Sequence, residues 1–79
     1  MKHLLFYTTA GCHLCEIAIT LIQQTLDAEM YQIDAIEISD SDVLVDLYGI
    51  RIPVLADPDS KAELGWPFDQ QKLRDFIDQ

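Results

Sequence analysis

The sequence is poor in cysteine, glycine, proline and positive charge, and it has no long hydrophobic run. Its 79 residues include two cysteines, three glycines and three prolines, with five Lys and Arg against 14 Asp and Glu. So few glycines and prolines fit a compact globular sequence, and no linker, low-complexity segment or internal repeat is visible in it. Since 49% of the residues are hydrophobic and a chain this short has room for only one core, we expect a single domain over residues 1–79.

The charge balance argues against a nucleic-acid partner. A net charge of −9 repels phosphate backbones, and the five cations are scattered along the chain. Most of the acids lie between Asp27 and Glu63. This distribution predicts that one side of the fold favours partners with a basic patch.

No targeting or membrane segment is visible. The apolar run near the start covers only residues 4–7, which is shorter than the ~7–15 residues of a signal-peptide core. Nothing approaches the ~20 apolar residues of a membrane span. We therefore expect a cytoplasmic protein without a membrane partner, in a compartment where structural disulfides are rare.

Apolar spacing and turn residues predict seven elements in the order β-α-β-α-β-β-α. The four strands are expected over residues 2–7, 33–38, 52–56 and 62–64. A strand–helix–strand unit favours a parallel pair with a right-handed crossover, and a tight turn makes the last two strands an antiparallel hairpin. The predicted fold class is therefore α/β, with a four-stranded mixed sheet flanked by helices, which is the core of the thioredoxin fold.

Start and stop signals place the helices. The first is expected over residues 12–25. The second begins at a cap among residues 40–42 and ends at Gly49, with its inner face formed by Val43, Leu44 and Leu47.

The two cysteines are spaced Cys12-His13-Leu14-Cys15, where the first strand leads into the first helix. A structural disulfide here closes too short a loop to restrict the unfolded chain. A structural zinc site needs about four ligands, and only His3 and His13 remain to help. A Cys-x-x-Cys pair at the strand-to-helix junction of a βαβ unit favours a redox role.

The helix N-terminus predicts different roles for the two thiols. Its unpaired N–H groups and partial positive charge stabilise a thiolate. Cys12 is therefore expected to be the more acidic thiol and the nucleophile. Cys15, one turn further, is expected to be the buried thiol that resolves the mixed disulfide.

Neighbouring residues have weaker claims to the site. A protonated His13 would stabilise the thiolate, but a solvent-facing position at the helix start explains it equally well. Arg51 is either a positive charge beside the site or an ordinary surface cation. Pro53 opens the third strand, where a missing N–H is tolerated, and base rates favour a trans bond there. Core or rim positions suffice to explain the aromatic residues Tyr7, Tyr48 and Trp66.

Three stretches carry a family resemblance: Cys12-His13-Leu14-Cys15, Tyr48-Gly49-Ile50-Arg51-Ile52-Pro53-Val54-Leu55, and Trp66-Pro67-Phe68-Asp69. In them the chain resembles the glutaredoxin-like branch of the thioredoxin superfamily, and within it a group of short bacterial proteins of poorly defined function. The resemblance covers roughly residues 4–76. It implies that Pro53 is a cis proline facing the cysteines, and that Ile52 beside Arg51 offers its backbone to a bound partner strand.

The chain departs from typical glutaredoxins where those proteins hold glutathione. It has Thr9, Arg51-Ile52 and Gly65-Trp66 in those places. Asp69 is an acid that remains there to meet an ammonium group, although a role as cap of the last helix is sufficient to explain it. Glutathione is therefore expected to be at most a weak ligand.

The expected function is that of a thiol–disulfide oxidoreductase that reduces or exchanges disulfides with a cytosolic protein partner. We expect it to act as a monomer, with no cofactor and no metal. Two alternatives stay open. In the first, Cys12 and Cys15 hold a metal ion or an iron–sulfur cluster between two subunits. In the second, the protein is an interaction domain whose two thiols only sense oxidation.

Overall fold

A computed structural model describes residues 1–78. The strands are β1 (Lys2–Thr8), β2 (Tyr31–Glu37), β3 (Val54–Ala56) and β4 (Glu63–Gly65), and the helices are α1 (His13–Thr25), α2 (Asp42–Tyr48) and α3 (Gln70–Ile77). A single 3₁₀ turn, Ile38–Asp40, joins β2 to α2. This order confirms the predicted fold class, and each strand end lies within two residues of its predicted position. None of the helices described is long and apolar enough to span a membrane.

The four strands form one mixed sheet in the order β2-β1-β3-β4. β1 and β2 are parallel, and their carboxyl ends meet where Thr8 lies beside Glu37. β3 runs antiparallel to both of its neighbours, so that Val54 lies between Tyr7 and Gly65. One end of the sheet therefore holds the end of β1, the loop that leads to the cysteines, and the start of β3.

Helices cover both faces of the sheet, as predicted. α1 and α3 pack together on one face, over Leu4 and Phe6 of β1. On the other face, Tyr48 of α2 packs against Ile38 and Val54. Successive residues of a strand point to opposite faces, so β1 and β3 contribute to both cores.

Each helix begins with a side chain that accepts a hydrogen bond from the backbone. Cys12 caps α1, Ser41 caps α2 and Asp69 caps α3. In α3, Phe68 precedes the cap and Leu73 follows it, and both are buried in the spacing of a hydrophobic staple. Full burial of Leu73 contributes roughly 1.5–3 kcal/mol.

The predicted inner face of α2 is confirmed at Leu44 and wrong at Val43 and Leu47. Val43 and Leu47 are 66% and 54% exposed, whereas Leu44 and Tyr48 pack toward the sheet. Apolar residues occupy more than half of the circumference of this short helix, and Asp42 and Asp46 occupy the rest. The periodicity therefore permits two inner faces. Packing against Ile38, which precedes the helix, selects between them.

Candidate redox site

The two cysteines lie where β1 leads into α1. They form a disulfide, with their Cα atoms 5.2 Å apart. Cys12 is the partly exposed N-cap residue, whereas Cys15 lies in the first turn of α1 and is only 3% exposed. The predicted difference in burial between the two thiols is confirmed.

The sulfur of Cys12 takes the place of the oxygen that usually caps a helix. It accepts a hydrogen bond from the backbone N–H of Cys15 at 3.2 Å, one of the first amides of α1 that have no partner within the helix. In the reduced pair the same N–H and the helix dipole stabilise negative charge on this sulfur. The arrangement therefore favours a thiolate at Cys12 over one at the buried Cys15.

A carboxylate of β2 fixes the segment that precedes Cys12. Glu37 accepts hydrogen bonds from the backbone N–H groups of Ala10 at 2.8 Å and Ser39 at 3.1 Å. The hydroxyl of Thr9, together with these amides, lowers the pKa of Glu37 to about 2. Glu37 therefore ties the loop before the cysteines to the carboxyl end of β2.

Sequence reasoning gave Glu37 no part in the site, because its alternation with Ile36 and Ile38 predicts only an outward-facing side chain. The structure instead turns its carboxylate to the loop after β1. A signal was available, since the carboxyl ends of parallel strands meet at one end of a sheet. An acid there is placed to bind backbone N–H groups of the neighbouring loop.

The Ile52–Pro53 peptide bond is cis, as predicted. Pro53 is buried and directly precedes β3. The register of β3 on β1 places it beside Thr8, at the end of the sheet from which the cysteine loop departs. A second cis bond, Trp66–Pro67, was not predicted.

Strand pairing at Ile52 has one backbone group available. The N–H of Ile52 already donates to the Tyr48 carbonyl at 3.0 Å. Its carbonyl accepts no hydrogen bond from any residue of 1–78. The predicted docking of a partner strand at Ile52 therefore depends on this carbonyl oxygen.

Arg51 has a partner within the fold. Its guanidinium donates to Glu63 at 2.7 Å and lies over the ring of Tyr48, 5.2 Å from the centroid. Tyr48 donates its hydroxyl to the other oxygen of Glu63 at 2.5 Å, and its ring stacks on Tyr7 with the centroids 4.0 Å apart. The hydrogen bonds from Tyr48 and Arg51 lower the pKa of Glu63. This cluster fastens the end of α2 to β4.

His13 and Asp69 both lie at the surface. The side chain of His13 is 80% exposed, and its Nδ1 is 3.7 Å from a carboxylate oxygen of Glu16. Asp69 accepts the backbone N–H of Lys72 at 2.9 Å as the cap of α3. The predicted effect of His13 on the thiolate and the predicted contact of Asp69 with an ammonium group both stay predictions.

An open groove of about 280 Å³ runs beside the disulfide. The loop after β1 and the two cysteines form one side of it. Side chains of β1, β2 and α1 line the rest, among them the apolar Phe6, Ile19 and Ala35. It lies on the β2 side of the cysteines, whereas Pro53 lies on the β3 side. The sulfur atoms therefore have an apolar contact surface next to them.

Within residues 1–78, no three His, Cys, Asp or Glu side chains are grouped so as to hold a metal ion. His3 lies on β1 with its Nδ1 3.6 Å from Asp34, and His13 is directed to Glu16. The cysteine pair thus has no third ligand from the described part of the chain. A metal or cluster shared between two subunits stays a prediction.

The fold and the site together define a class of protein. A four-stranded mixed sheet in this strand order, with Cys-x-x-Cys at the start of the first helix and a cis proline at the same end of the sheet, is characteristic of the thioredoxin superfamily. Within it, the chain belongs to the glutaredoxin-like domain family (DUF836), whose model matches residues 3–78. A redox-type role of the Cys12–Cys15 pair fits this family.

Two solved structures of the structural-genomics target protein XcR50 from X. campestris are similar to this chain. The crystal structure has a TM-score of 0.82 and 39% sequence identity, covering 95% of this chain and 95% of that chain. The solution structure has a TM-score of 0.80 and 38% identity, covering 99% of this chain and 94% of that chain. No curated protein matches the chain at a significant level.

Proposed function

We propose that the protein is a thiol–disulfide oxidoreductase that exchanges disulfides with a protein partner. The observation that carries the proposal is the position of the partly exposed Cys12, whose sulfur caps α1 and lies within bonding distance of the buried Cys15. A nucleophilic thiolate and a resolving thiol need two such different environments. Membership of a glutaredoxin-like family supports the same type of reaction.

The reaction has two steps. The Cys12 thiolate attacks one sulfur of the partner's disulfide, and the other sulfur leaves with the bonding electron pair and takes a proton from water. Cys15 then releases its proton to solvent and attacks the Cys12 sulfur, which frees the second partner thiolate. The partner gains two electrons as a pair of thiols, and the resulting Cys12–Cys15 disulfide persists until a second dithiol reduces it.

The backbone at Ile52 and Pro53 would orient the partner. An extended segment that donates an N–H to the Ile52 carbonyl makes the kind of pairing that strand addition uses. Burial of Pro53 and the hydrogen bond between Ile52 and Tyr48 hold this carbonyl in place. The partner's disulfide then lies at the end of the sheet that carries Cys12.

Single-turnover reduction of a disulfide-linked synthetic peptide dimer tests the proposal. Each reduced protein is mixed with excess dimer, and the released peptide thiols are counted. We expect two thiols per molecule of the unmodified protein and one from Cys15→Ser, which stops as the Cys12 mixed disulfide. Cys12→Ser is expected to release none at a comparable rate. Equal release from Cys12→Ser and the unmodified protein would overturn the proposal.

Glutathione is a poorer substrate than a peptide in this proposal. Arg51 is already paired with Glu63, and the loop that carries Thr9 is held to Glu37 through the backbone N–H of Ala10. Each charge-assisted hydrogen bond that is missing weakens binding by about 1.5–3 kcal/mol, so two weaken it about 100-fold or more. We expect turnover of a glutathione mixed disulfide to be far slower than with a standard dithiol glutaredoxin. Comparable rates would place the protein in the glutathione-dependent class.

A further inference from the structure

Exposed apolar side chains are concentrated on α2. Among the described residues, half of the large apolar side chains that are exposed lie within residues 43–50, namely Val43, Val45, Leu47 and Ile50. Three of them, Val43, Leu47 and Ile50, are four and three residues apart and so share one side of a helix. Gly49 keeps helical backbone angles, which brings Ile50 into the same row. We call Val43, Leu47 and Ile50 the α2 stripe.

The α2 stripe is not needed for the core. A different side of α2 already packs Leu44 and Tyr48 on Ile38 and Val54. Ile50 is fully exposed. The packing of the fold therefore does not require an apolar side chain at this position. An apolar row of this kind on a small domain marks an interaction surface.

The charges around the α2 stripe indicate what covers it. Asp40, Asp42 and Asp46 are exposed, and none of them forms an ion pair with Lys or Arg among residues 1–78. Arg51, the nearest cation along the chain, is paired with Glu63. The apolar row therefore has a rim of unneutralised negative charge. A second copy of the chain would bring a like-charged rim against it, and its net charge of −9 adds to that repulsion.

We propose that the α2 stripe docks a protein partner whose apolar contact surface is rimmed by Lys and Arg. The stripe lies close in the chain to the proposed redox site, because Ile50 is two residues before Ile52, whose carbonyl accepts no hydrogen bond within residues 1–78. Docking on α2 holds the partner's disulfide near Cys12 without using the cysteines for recognition. This inference rests on the proposed oxidoreductase function for its purpose, but the binding itself does not require it.

Binding of designed peptides to a redox-inactive protein tests the inference. The Cys12→Ser/Cys15→Ser variant is titrated with a synthetic amphipathic helix whose leucine row is flanked by lysines, and with a counterpart carrying glutamate in place of each lysine. Amide chemical shifts report the site and the affinity. We expect the lysine peptide to change the amide chemical shifts of residues 42–51. The glutamate peptide is expected to bind about tenfold more weakly, because it cannot form the few surface ion pairs that the lysines make with the acidic rim.

Two substitutions separate this surface from general stickiness. Leu47→Ser is expected to weaken binding of the lysine peptide about tenfold, because it removes a large apolar contact. Met30→Ser, at an equally exposed site away from α2, is the matched control and should leave the affinity unchanged. Equal affinity for both peptides, shifts that lie mainly outside residues 42–51, or self-association through the stripe without peptide would each overturn the inference. Since the cysteines are absent, these outcomes are independent of the turnover test of the proposed function.

Discussion

At the scale of single residues, Cys12 and Cys15 differ in exposure and in what surrounds their sulfur atoms. Cys12 is partly exposed and caps α1 with its sulfur, whereas Cys15 is almost fully buried. Because only the thiolate reacts with alkylating reagents, we expect iodoacetamide to label Cys12 of the reduced protein well before Cys15 at neutral pH. Peptide mass spectrometry after brief labelling measures both rates. Equal rates would contradict the roles assigned to the two thiols.

Glu37 is expected to stabilise the fold through the loop that it holds. The Glu37→Gln variant keeps one acceptor for Ala10 or Ser39 but not two, so we expect a lower melting temperature and faster hydrogen exchange at Ala10. The pKa of Glu37 falls from an ordinary value of 4.5 to about 2 on folding. Its contribution is therefore complete above about pH 4.5 and is lost as the pH falls toward 2.

A matched control for Glu37→Gln is Glu29→Gln, since Glu29 is exposed and its carboxylate accepts no hydrogen bond from any described residue. We expect this control to melt like the unmodified protein. The difference between Glu37→Gln and the unmodified protein should shrink below about pH 4.5. A difference that stays constant down to pH 2 would show that the ionised carboxylate is not the cause.

Sequence reasoning reaches those residues whose role follows from a local rule. A Cys-x-x-Cys spacing at a helix start identifies Cys12 and Cys15, and a family motif identifies the cis bond at Pro53. No local rule identifies Glu37, because its partner Ala10 is 27 residues away and the contact depends on the register of the sheet. A pattern of neighbours along the chain carries no information about such a contact.

At the scale of elements, the end of α2 sets the position of the Ile52–Pro53 segment. The backbone N–H of Ile52 bonds back to the carbonyl of Tyr48. A Cβ atom on Gly49 would lie 2.5 Å from the carbonyl oxygen of Val45. Ala at this position would therefore displace the end of the helix. We expect Gly49→Ala to lower the free energy of unfolding by about 1–3 kcal/mol, measured by urea denaturation.

Gly65 in β4 provides the control for Gly49. A Cβ atom there meets nothing within 4 Å, and the backbone of Gly65 does not have a positive φ. Gly65→Ala is expected to be neutral or slightly stabilising, because it restricts the unfolded chain. Equal stability of the two alanine variants would show that close packing at Gly49 does not limit the helix end.

The elements differ in how far the sequence determines them. α3 has an unambiguous apolar side and a clear cap at Asp69, so both its position and its inner face are predictable. α2 is predictable in position from its cap and Gly49. Its inner face is predictable only in part, because apolar residues occupy more than half of the circumference of the helix. The choice of face depends on Ile38 and Val54, which come together only in the folded sheet.

At the scale of the whole molecule, paired carboxylates and excess negative charge act in opposite directions as the pH falls. Hydrogen bonds lower the pKa values of Glu37 and Glu63. At Asp57, burial alone would raise the pKa. The hydrogen bonds that Asp57 accepts, first among them the one from Lys2, have the larger effect, so its pKa is lowered as well. A lowered pKa stabilises the fold above the unfolded value of the group, and the gain disappears as the pH falls through the folded value. Protonation of the other acids relieves the repulsion of a chain with net charge −9.

We expect the loss of these hydrogen-bonded carboxylates to dominate below about pH 4.5 at physiological salt. Repulsion between exposed charges is screened within about 8 Å there, whereas the hydrogen bonds act at contact distance. Urea unfolding between about pH 7 and pH 2.5 should show stability that declines steadily below about pH 4.5. Stability that rises over the acidic half of this range would show instead that charge repulsion governs the fold.

The proposed reaction requires that Cys12 forms a mixed disulfide with a protein partner and that Cys15 resolves it. Expression of the Cys15→Ser variant, followed by acid quenching and separation on a non-reducing gel, tests this requirement, because this variant lacks the thiol that releases the partner. We expect adducts that a reductant dissolves and that join the partner's cysteine to Cys12. The Cys12→Ser/Cys15→Ser variant should form none. The same adducts in both variants, or none in Cys15→Ser, would rule out the proposed roles of Cys12 and Cys15.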